Sequence, residues 1–509
     1  MRSRPMALLA FLATFAALLL LHRSLLRLPY FWDEAGYYIP AALDFYRSGL
    51  LIPKSTLPTG HTPLVMVYLA LAWRVFGFSP PVTRAAMTLI AAATVATLYM
   101  LGRRVASREI AAWSAVLLAL SPLFFTQSTL AHLDLAAALF TTLAVLFLLG
   151  DRLGLFALAA SLTVLSKETA VVLLPMAWLY AWRRRRRSTT EQPPSLTTWF
   201  ALTAPLVPLA AWTLYYHQVT GYWVGNREYL SYNLYSTLSP ARVFWCLLRR
   251  AYELFFGGFN WLLSTGVLLG FWWGRKHAKL DPAREAEGLP WRAFILLAAG
   301  LVAIYLLLLS VVGGAVLPRY LLPVLPLFYL VAVALVMRLP RFPARLICTA
   351  AAACFVWAWF INPPYPFPFE DNLAYADFIR LHERAAHYLE AQPGQPRILT
   401  AWPATDELAQ PFLGYVRRPL RVVPVQGLAP QDFAEVPAES FDLLYLYSRK
   451  WEPPGNWVTR FPEWLRVQGR YFDYRPQMAA EDLVARYHLR LLAEFERRGQ
   501  WARIYSRSP

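Results

Sequence analysis

The chain has 509 residues, of which 57% are hydrophobic and 15% aromatic, with 20 Trp; that balance lies outside soluble globular domains and predicts a polytopic membrane protein. Its formal charge of +18 would suit a nucleic-acid binder, but residues 362–509 carry 18 basic and 18 acidic groups, so the whole excess, 31 basic against 13 acidic, lies in residues 1–361. There it clusters between apolar segments, as cytoplasmic loops of membrane proteins do, and this excludes nucleic acid as a partner. The three cysteines, Cys246, Cys348 and Cys354, form no even framework and imply no disulfide or thiolate metal site.

In chain order, Arg2 and Arg4 precede an apolar run from Met6 to Leu21 with no small-residue cleavage site after it, read as an uncleaved first helix with a cytoplasmic start. Asp33 and Glu34, within Leu28-Pro29-Tyr30-Phe31-Trp32-Asp33-Glu34-Ala35-Gly36-Tyr37-Tyr38, therefore emerge on the outer face. Thr62 to Phe78 is apolar but short of the roughly 20 residues a span needs, and is expected to lie along the interface. A second helix from about Val82 to Leu101 returns to Arg103, Arg104 and Arg108.

Between that basic loop and Asp151-Arg152 the chain must cross an even number of times, so its polar apex, Gln127 to Asp134, faces outside. The same parity holds between Asp151-Arg152 and the run Arg183 to Arg187, with Ser166-Lys167-Glu168-Thr169 at the turn. Each arm there has about 14 residues, roughly 21 Å of helix against a hydrocarbon core of about 30 Å, so this apex should dip below the outer surface. Irregular backbone at such depth is tolerated only where protein or a cavity surrounds it.

Leu196 to Leu214 leads outward again, Tyr215 to Asn260 reads as an aromatic outer loop, and Trp261 to Trp273 returns to Arg275, Lys276 and Lys279. A helix from about Trp291 to Val312 reaches Gly313 to Tyr320 outside. Leu321 to Met337 comes back, and Leu346 to Ile361 goes out. The fold class predicted is an α-helical polytopic membrane protein of about eleven crossings, with a transmembrane domain over 1–361. Proline-rich Asn362 to Pro368 opens a small extracytoplasmic α/β domain over 362–509. An amphipathic helix is expected over Ala374 to Ala391, and short buried strands over Arg397 to Ala401, Leu420 to Val425 and Phe441 to Tyr447.

Asp33, Glu34, His61, Asp134, Lys167 and Arg319 are far apart in sequence, yet parity puts each on the outer side. Each also has a plain structural reading: an interfacial cap for Asp33-Glu34, a loop residue for His61, a helix cap for His132 and Asp134, a mutual pair for Lys167 and Glu168, and a snorkelling anchor for Arg319.

The order Trp32-Asp33-Glu34, Gly60-His61-Thr62-Pro63-Leu64, Ala131-His132-Leu133-Asp134, Ser166-Lys167-Glu168 and Pro318-Arg319-Tyr320-Leu321-Leu322-Pro323 resembles the GT-C glycosyltransferases. Within them it is similar to the protein-mannosyltransferase, aminoarabinose-transferase and Rgt-type group. The acid pair is the most specific element of the resemblance, which covers most of residues 1–361. Thr62 departs from the family loop, which often has Lys or His before Pro-Pro, and His132 stands where the family often has Arg. The resemblance implies a multi-pass protein of the cell membrane, in keeping with a bacterial inner membrane. It would take a sugar from a polyprenyl-phosphate carrier to a hydroxyl or phosphate of a lipid, glycan or protein acceptor on the outer face.

For that chemistry Asp33 is the expected general base, with Glu34 or Asp134 orienting substrates. Lys167, Arg319, Tyr320 and His61 would hold the carrier phosphate. Asp33, Glu34 and Asp134 could also share a divalent ion, Mg or Mn. A secondary transporter or a flippase of lipid-linked substrate is the alternative; it calls for inverted repeats and midplane ionisable groups, whereas these acids sit at outer apexes.

Overall fold

The structure is a computed structural model and describes residues 3–187, 195–277, 291–453, 455–456, 460–472 and 474–507. Arg2 and Lys279, read above as cytoplasmic marks, lie outside the described residues. The chain divides into two compact units. One comprises Met1–Arg23, Ala41–Gly77 and Val82–Trp359, and the other Ser24–Pro40, Phe78–Pro81 and Phe360–Pro509. The segment that carries Asp33 and Glu34 thus belongs to the same unit as the C-terminal residues.

The first unit is helical. Among the described residues five helices are long and apolar enough to cross a membrane: Pro80–Val105, Leu196–Thr220, Trp291–Val311, Pro318–Val336 and Arg341–Ala358. Pro240–Phe255 and Gly257–Lys276, bent by 41° at their junction, make a sixth if taken as one span. Phe11–Leu21, Leu64–Phe76, Leu133–Leu149 and Leu153–Ser166 are apolar and shorter. Several hydroxyls on the helices of this unit are satisfied within their own helix: Thr88 donates to the carbonyl of Arg84 (2.8 Å), Thr94 to Ile90 (2.8 Å), Ser114 to Ile110 (2.7 Å) and Thr142 to Ala138 (2.7 Å). Such bonds to the fourth preceding carbonyl let a polar side chain sit in an apolar interior without an orphaned donor.

The two expected apexes are breaks between helices. Pro122–Gln127 and Leu133–Leu149 flank one, and Leu153–Ser166, a 3-10 turn Glu168–Val172 and Leu173–Arg187 form the other. The stretch expected to be an aromatic outer loop differs, because it contains the helices Arg227–Asn233 and Pro240–Phe255. On Pro240–Phe255 the buried positions are Arg242, Cys246, Arg250 and Leu254, while Phe244, Leu248, Tyr252 and Phe255 are exposed. Its polar stripe faces the protein and its aromatic stripe faces out, the reverse of a helix on a soluble domain.

The second unit holds a five-stranded sheet of order β2-β1-β3-β5-β4, with β1 Arg397–Ala401, β2 Arg421–Val425, β3 Leu443–Tyr447, β4 Leu489–Arg497 and β5 Gln500–Arg507. β1 pairs in parallel with β2 and β3, whereas β5 runs antiparallel to β3 and β4. Every residue of β3 is buried, as expected of a central strand covered on both faces. The edge strand β2 carries Pro424, which lacks the N–H that a central ladder would need. The helix Ala374–Glu390 packs on β4 and β5 and buries Phe378, Ile379, Leu381, Ala385 and Leu389.

Candidate functional site

In the helical unit, Asp134, Lys167, Arg319 and Tyr320 converge. Asp134 opens the helix after the first apex, Lys167 stands at the second, and Arg319 and Tyr320 lie in a 3-10 turn, Pro318–Val324. The Lys167 ammonium bonds the Asp134 carboxylate, and Arg319 Nε lies 3.8 Å from its other oxygen. Lys167 Nζ sits 4.1 Å from the centroid of the Tyr320 ring, and the Arg319 guanidinium 5.4 Å. Lys167 is 5% exposed, Arg319 and Asp134 1% each. Charges so far from water need counter-charges.

Arg250, which the sequence reading did not single out, completes this cluster. Its guanidinium lies 5.7 Å from the Tyr320 centroid. Nε donates to the Leu309 carbonyl (3.1 Å) and Nη1 to Leu317 (3.5 Å), while Nη2 is buried without a hydrogen-bond partner among the described residues. One turn-pair earlier, Arg242 Nη2 donates to the carbonyls of Gly313 (3.1 Å) and Gly314 (3.0 Å). The signal was present as Arg242 and Arg250, eight apart on one stripe of Pro240–Phe255. Arg84, also buried, donates to the Thr129 carbonyl at 3.0 Å and fixes the first apex. Around Tyr320, the three buried cations Lys167, Arg250 and Arg319 thus gather, an arrangement suited to an anion.

His61 does not join Lys167 directly. Its Nδ1 meets both carboxylate oxygens of Glu168, at 3.0 and 3.2 Å, so Glu168 pairs with His61 and Lys167 with Asp134. The loop bearing His61 is set by Leu206–Thr220, from which Trp212 Nε1 donates to the Gly60 carbonyl (3.2 Å) and the Tyr216 hydroxyl to Pro58 (2.9 Å). Gly60 has φ +78°, and a Cβ there would come within 2.5 Å of the Gly225 nitrogen. No other residue fits that turn without a shift. His132 caps nothing with its side chain; its Nδ1 meets Gln127 Oε1 at 2.6 Å within the apex.

In the second unit the acid pair lies in a π-helical turn, Glu34–Tyr38, with Asp33 as its N-cap. The two acids differ. Glu34 is fully buried, and its Oε2 accepts the N–H of Phe31 at 2.9 Å, a reach-back bond typical of a helix start. Asp33 is half-buried. Trp32, just before it, takes the left-handed conformation, φ +46°, uncommon for a bulky residue.

Among the described residues no group of three or more His, Cys, Asp or Glu side chains is placed to hold a metal ion. Asp134, the third oxygen donor expected for Mg or Mn, is bonded by Lys167 and lies 3.8 Å from Arg319 Nε.

Residues 60–216 match the family model of dolichyl-phosphate-mannose-protein mannosyltransferase. The fold is similar to that of ArnT from Cupriavidus metallidurans bound to undecaprenyl phosphate, with TM-score 0.56 and 14% identity over 98% of this chain and 97% of that one. The apo crystal structure of the same enzyme gives TM-score 0.54 and 13% identity over the same shares. No curated protein matches the sequence.

Proposed function

We propose, from the match of residues 60–216 to the mannosyltransferase family model and the fold similar to ArnT, that the chain is a membrane glycosyltransferase of the GT-C superfamily, which transfers a sugar from a polyprenyl-phosphate carrier to an acceptor hydroxyl or phosphate at the outer face of the membrane. The observation that carries this reading is the gathering of the buried cations Lys167, Arg250 and Arg319 around Tyr320. A carrier phosphate meets its positive charge there, and its polyprenyl tail stays in lipid.

Asp33 is the general base. Its carboxylate takes the proton of the acceptor O–H as the acceptor oxygen attacks the anomeric carbon, and the bond from that carbon to the phosphate oxygen breaks with inversion. The polyprenyl phosphate leaves with one more negative charge on its phosphate, which Lys167, Arg250 and Arg319 stabilise most in the transition state. A phosphate leaving group is weakly basic, so no acid need protonate it. Asp134 orients the Lys167 ammonium, and Glu34 holds the turn that presents Asp33. His61, paired with Glu168, lies beside the carrier phosphate. Acceptors of this chemistry are lipids, glycans or proteins bearing a free hydroxyl or phosphate.

The test is transfer of radiolabelled sugar from a polyprenyl-phosphate donor by membranes containing the full chain. Transfer is expected from wild type and lost in Asp33→Asn and Lys167→Ala. Movement of the lipid-linked sugar across the bilayer with no transfer would instead make the protein a transporter or flippase.

A further inference from the structure

The acidic turn is held by residues more than 340 positions away in the chain. Trp402, which follows β1, lies directly on it. A Cβ built on Gly36 would fall 2.8 Å from Trp402 Nε1 and 2.9 Å from Cζ2, so the indole rests on the bare backbone three residues after Asp33. The same ring meets Trp32 edge-on, with centroids 5.2 Å apart at 78°, and lies tilted against Tyr37 at 5.9 Å. It thus touches residues on both sides of Asp33. The indole is itself anchored: its Nε1–H donates to Asp406 Oδ2 (3.1 Å), whose Oδ1 accepts from Gln410 Nε2 (3.3 Å).

A second row of contacts lies behind the first. Phe378 packs edge-on against Phe31 (5.5 Å) and Trp32 (5.6 Å) and stacks on His382 (3.8 Å). His382 Nδ1 meets Glu407 Oε2 at 2.5 Å, both side chains being buried. The backbone is tied as well, by the Tyr30 N–H to the Leu413 carbonyl (3.2 Å) and by the Tyr415 hydroxyl to the Tyr30 carbonyl (3.0 Å). A left-handed Trp32 followed by a π-helical turn is a strained path that persists only where its surroundings determine it. Here the surroundings are residues 375–415.

We propose that Trp402 is a positioning residue, which through its contact with Gly36 and Trp32 holds Asp33 in the geometry that proton abstraction needs. This rests on the reading of Asp33 as general base. It gives the C-terminal α/β domain a part in catalysis without contact with the reacting atoms. A base must stand within hydrogen-bond reach of the proton it removes, and a misplacement of about 1 Å costs about 100-fold in rate.

The experiment compares Trp402→Ala, Gly36→Ala, their double variant and Asp33→Asn in the full chain. It measures kcat, KM for the polyprenyl-phosphate sugar, and deuterium exchange of residues 30–38. Trp402→Ala and Gly36→Ala are each expected to lower kcat about 10- to 100-fold with KM for the donor unchanged, and to speed exchange in the turn. The double variant should lose no more than the worse single, because both substitutions disturb one contact. Trp402→Phe, which keeps an aromatic ring, should fall between wild type and Trp402→Ala. If Trp402→Ala does not fold, Gly36→Ala and Trp402→Phe carry the same comparison. Wild-type kcat in Trp402→Ala, faster exchange without loss of kcat, or strictly additive losses would overturn the inference. Undiminished transfer by Asp33→Asn would overturn the general-base reading, a separate outcome read from a separate variant.

Discussion

The carboxylate of Glu34 turns back to its own chain and accepts the N–H of Phe31 at 2.9 Å, while Asp33 beside it is a half-buried N-cap. Two adjacent acids thus have different surroundings. Asp33→Asn should lower sugar transfer about 10²- to 10⁴-fold, the usual contribution of a general base, with little change in Tm. Glu34→Ala strands a buried N–H and should cost about 1–3 kcal/mol of stability, read as a lower Tm in detergent. Glu34→Gln, whose amide oxygen still accepts that bond, should stay near wild type in both measurements. A loss of transfer in Glu34→Gln as large as in Asp33→Asn would shift the base role to Glu34.

The Lys167 and Asp134 pair leads to a prediction about charge. Asp134 is the carboxylate between Lys167 and Arg319, so Asp134→Ala leaves these two buried cations without it. Breaking a buried pair in this way costs about 3–5 kcal/mol. Polyprenyl phosphate should return part of that. A ligand at about 100 times its dissociation constant stabilises by about 2.7 kcal/mol, and the variant, with more positive charge to satisfy, should gain more than wild type. Thermal melting of both proteins with and without undecaprenyl phosphate reads the difference. An equal shift in the two would argue that the phosphate binds elsewhere.

Much of this cluster is legible in the sequence. Parity of crossings put Asp134, Lys167 and Arg319 on one face, and amphipathic spacing gave the helix that the structure places at Ala374–Glu390. Two features were hidden by ordinary chemistry in unusual places. Pro240–Phe255 read as loop because its arginines interrupt the apolar pattern; in an apolar surround those arginines mark the inward face. The β4–β5 hairpin was missed because its turn is Arg498-Gly499, both with positive φ (+47° and +79°). Two-residue hairpin turns of that kind favour Asn-Gly or Asp-Gly, so Arg-Gly gave no signal. The attachment of the acid pair to Trp402 and Phe378 had no local signature either, because tertiary contacts alone bring together segments so far apart in sequence.

Arg250 gives the third prediction. Its Nη2 is buried without a hydrogen-bond partner among the described residues, while Nε and Nη1 are held by backbone carbonyls. The guanidinium is thus fixed with its Nη2 amino group left for a ligand. A hydrogen bond to a charged group contributes about 1.5–3 kcal/mol, so Arg250→Ala should weaken binding of polyprenyl phosphate about 10- to 100-fold. Arg250→Lys keeps the charge but loses the fork that two carbonyls hold, and should recover part of the affinity. Binding of labelled undecaprenyl phosphate to the purified variants decides it. Wild-type affinity in Arg250→Ala would remove this residue from the phosphate site.

Asp406, the acceptor of the Trp402 indole N–H, makes stability depend on pH in an unusual direction. Burial pushes its carboxyl up to about 6, against the pull of the bonds from Trp402 and Gln410 and with help from the neighbouring Glu407. In the unfolded chain an aspartate titrates near 3.9. Between those values the folded protein binds more protons than the unfolded one at this position. Stability from this group therefore rises as pH falls through about 6, is complete below about 4, and is lost as pH rises again. The usual salt-bridged aspartate behaves the other way. Melting of the full chain from pH 4.5 to 7.5, wild type against Asp406→Asn, isolates the effect, since the asparagine has no proton to bind. The Tm of wild type minus that of the variant should decrease as pH rises across 6, and a flat difference would show that Asp406 titrates as an ordinary exposed aspartate. At pH 7, where the group is ionised, it holds the indole by a charge-assisted bond; there burial of the charge is the cost and a fixed Trp402 the gain.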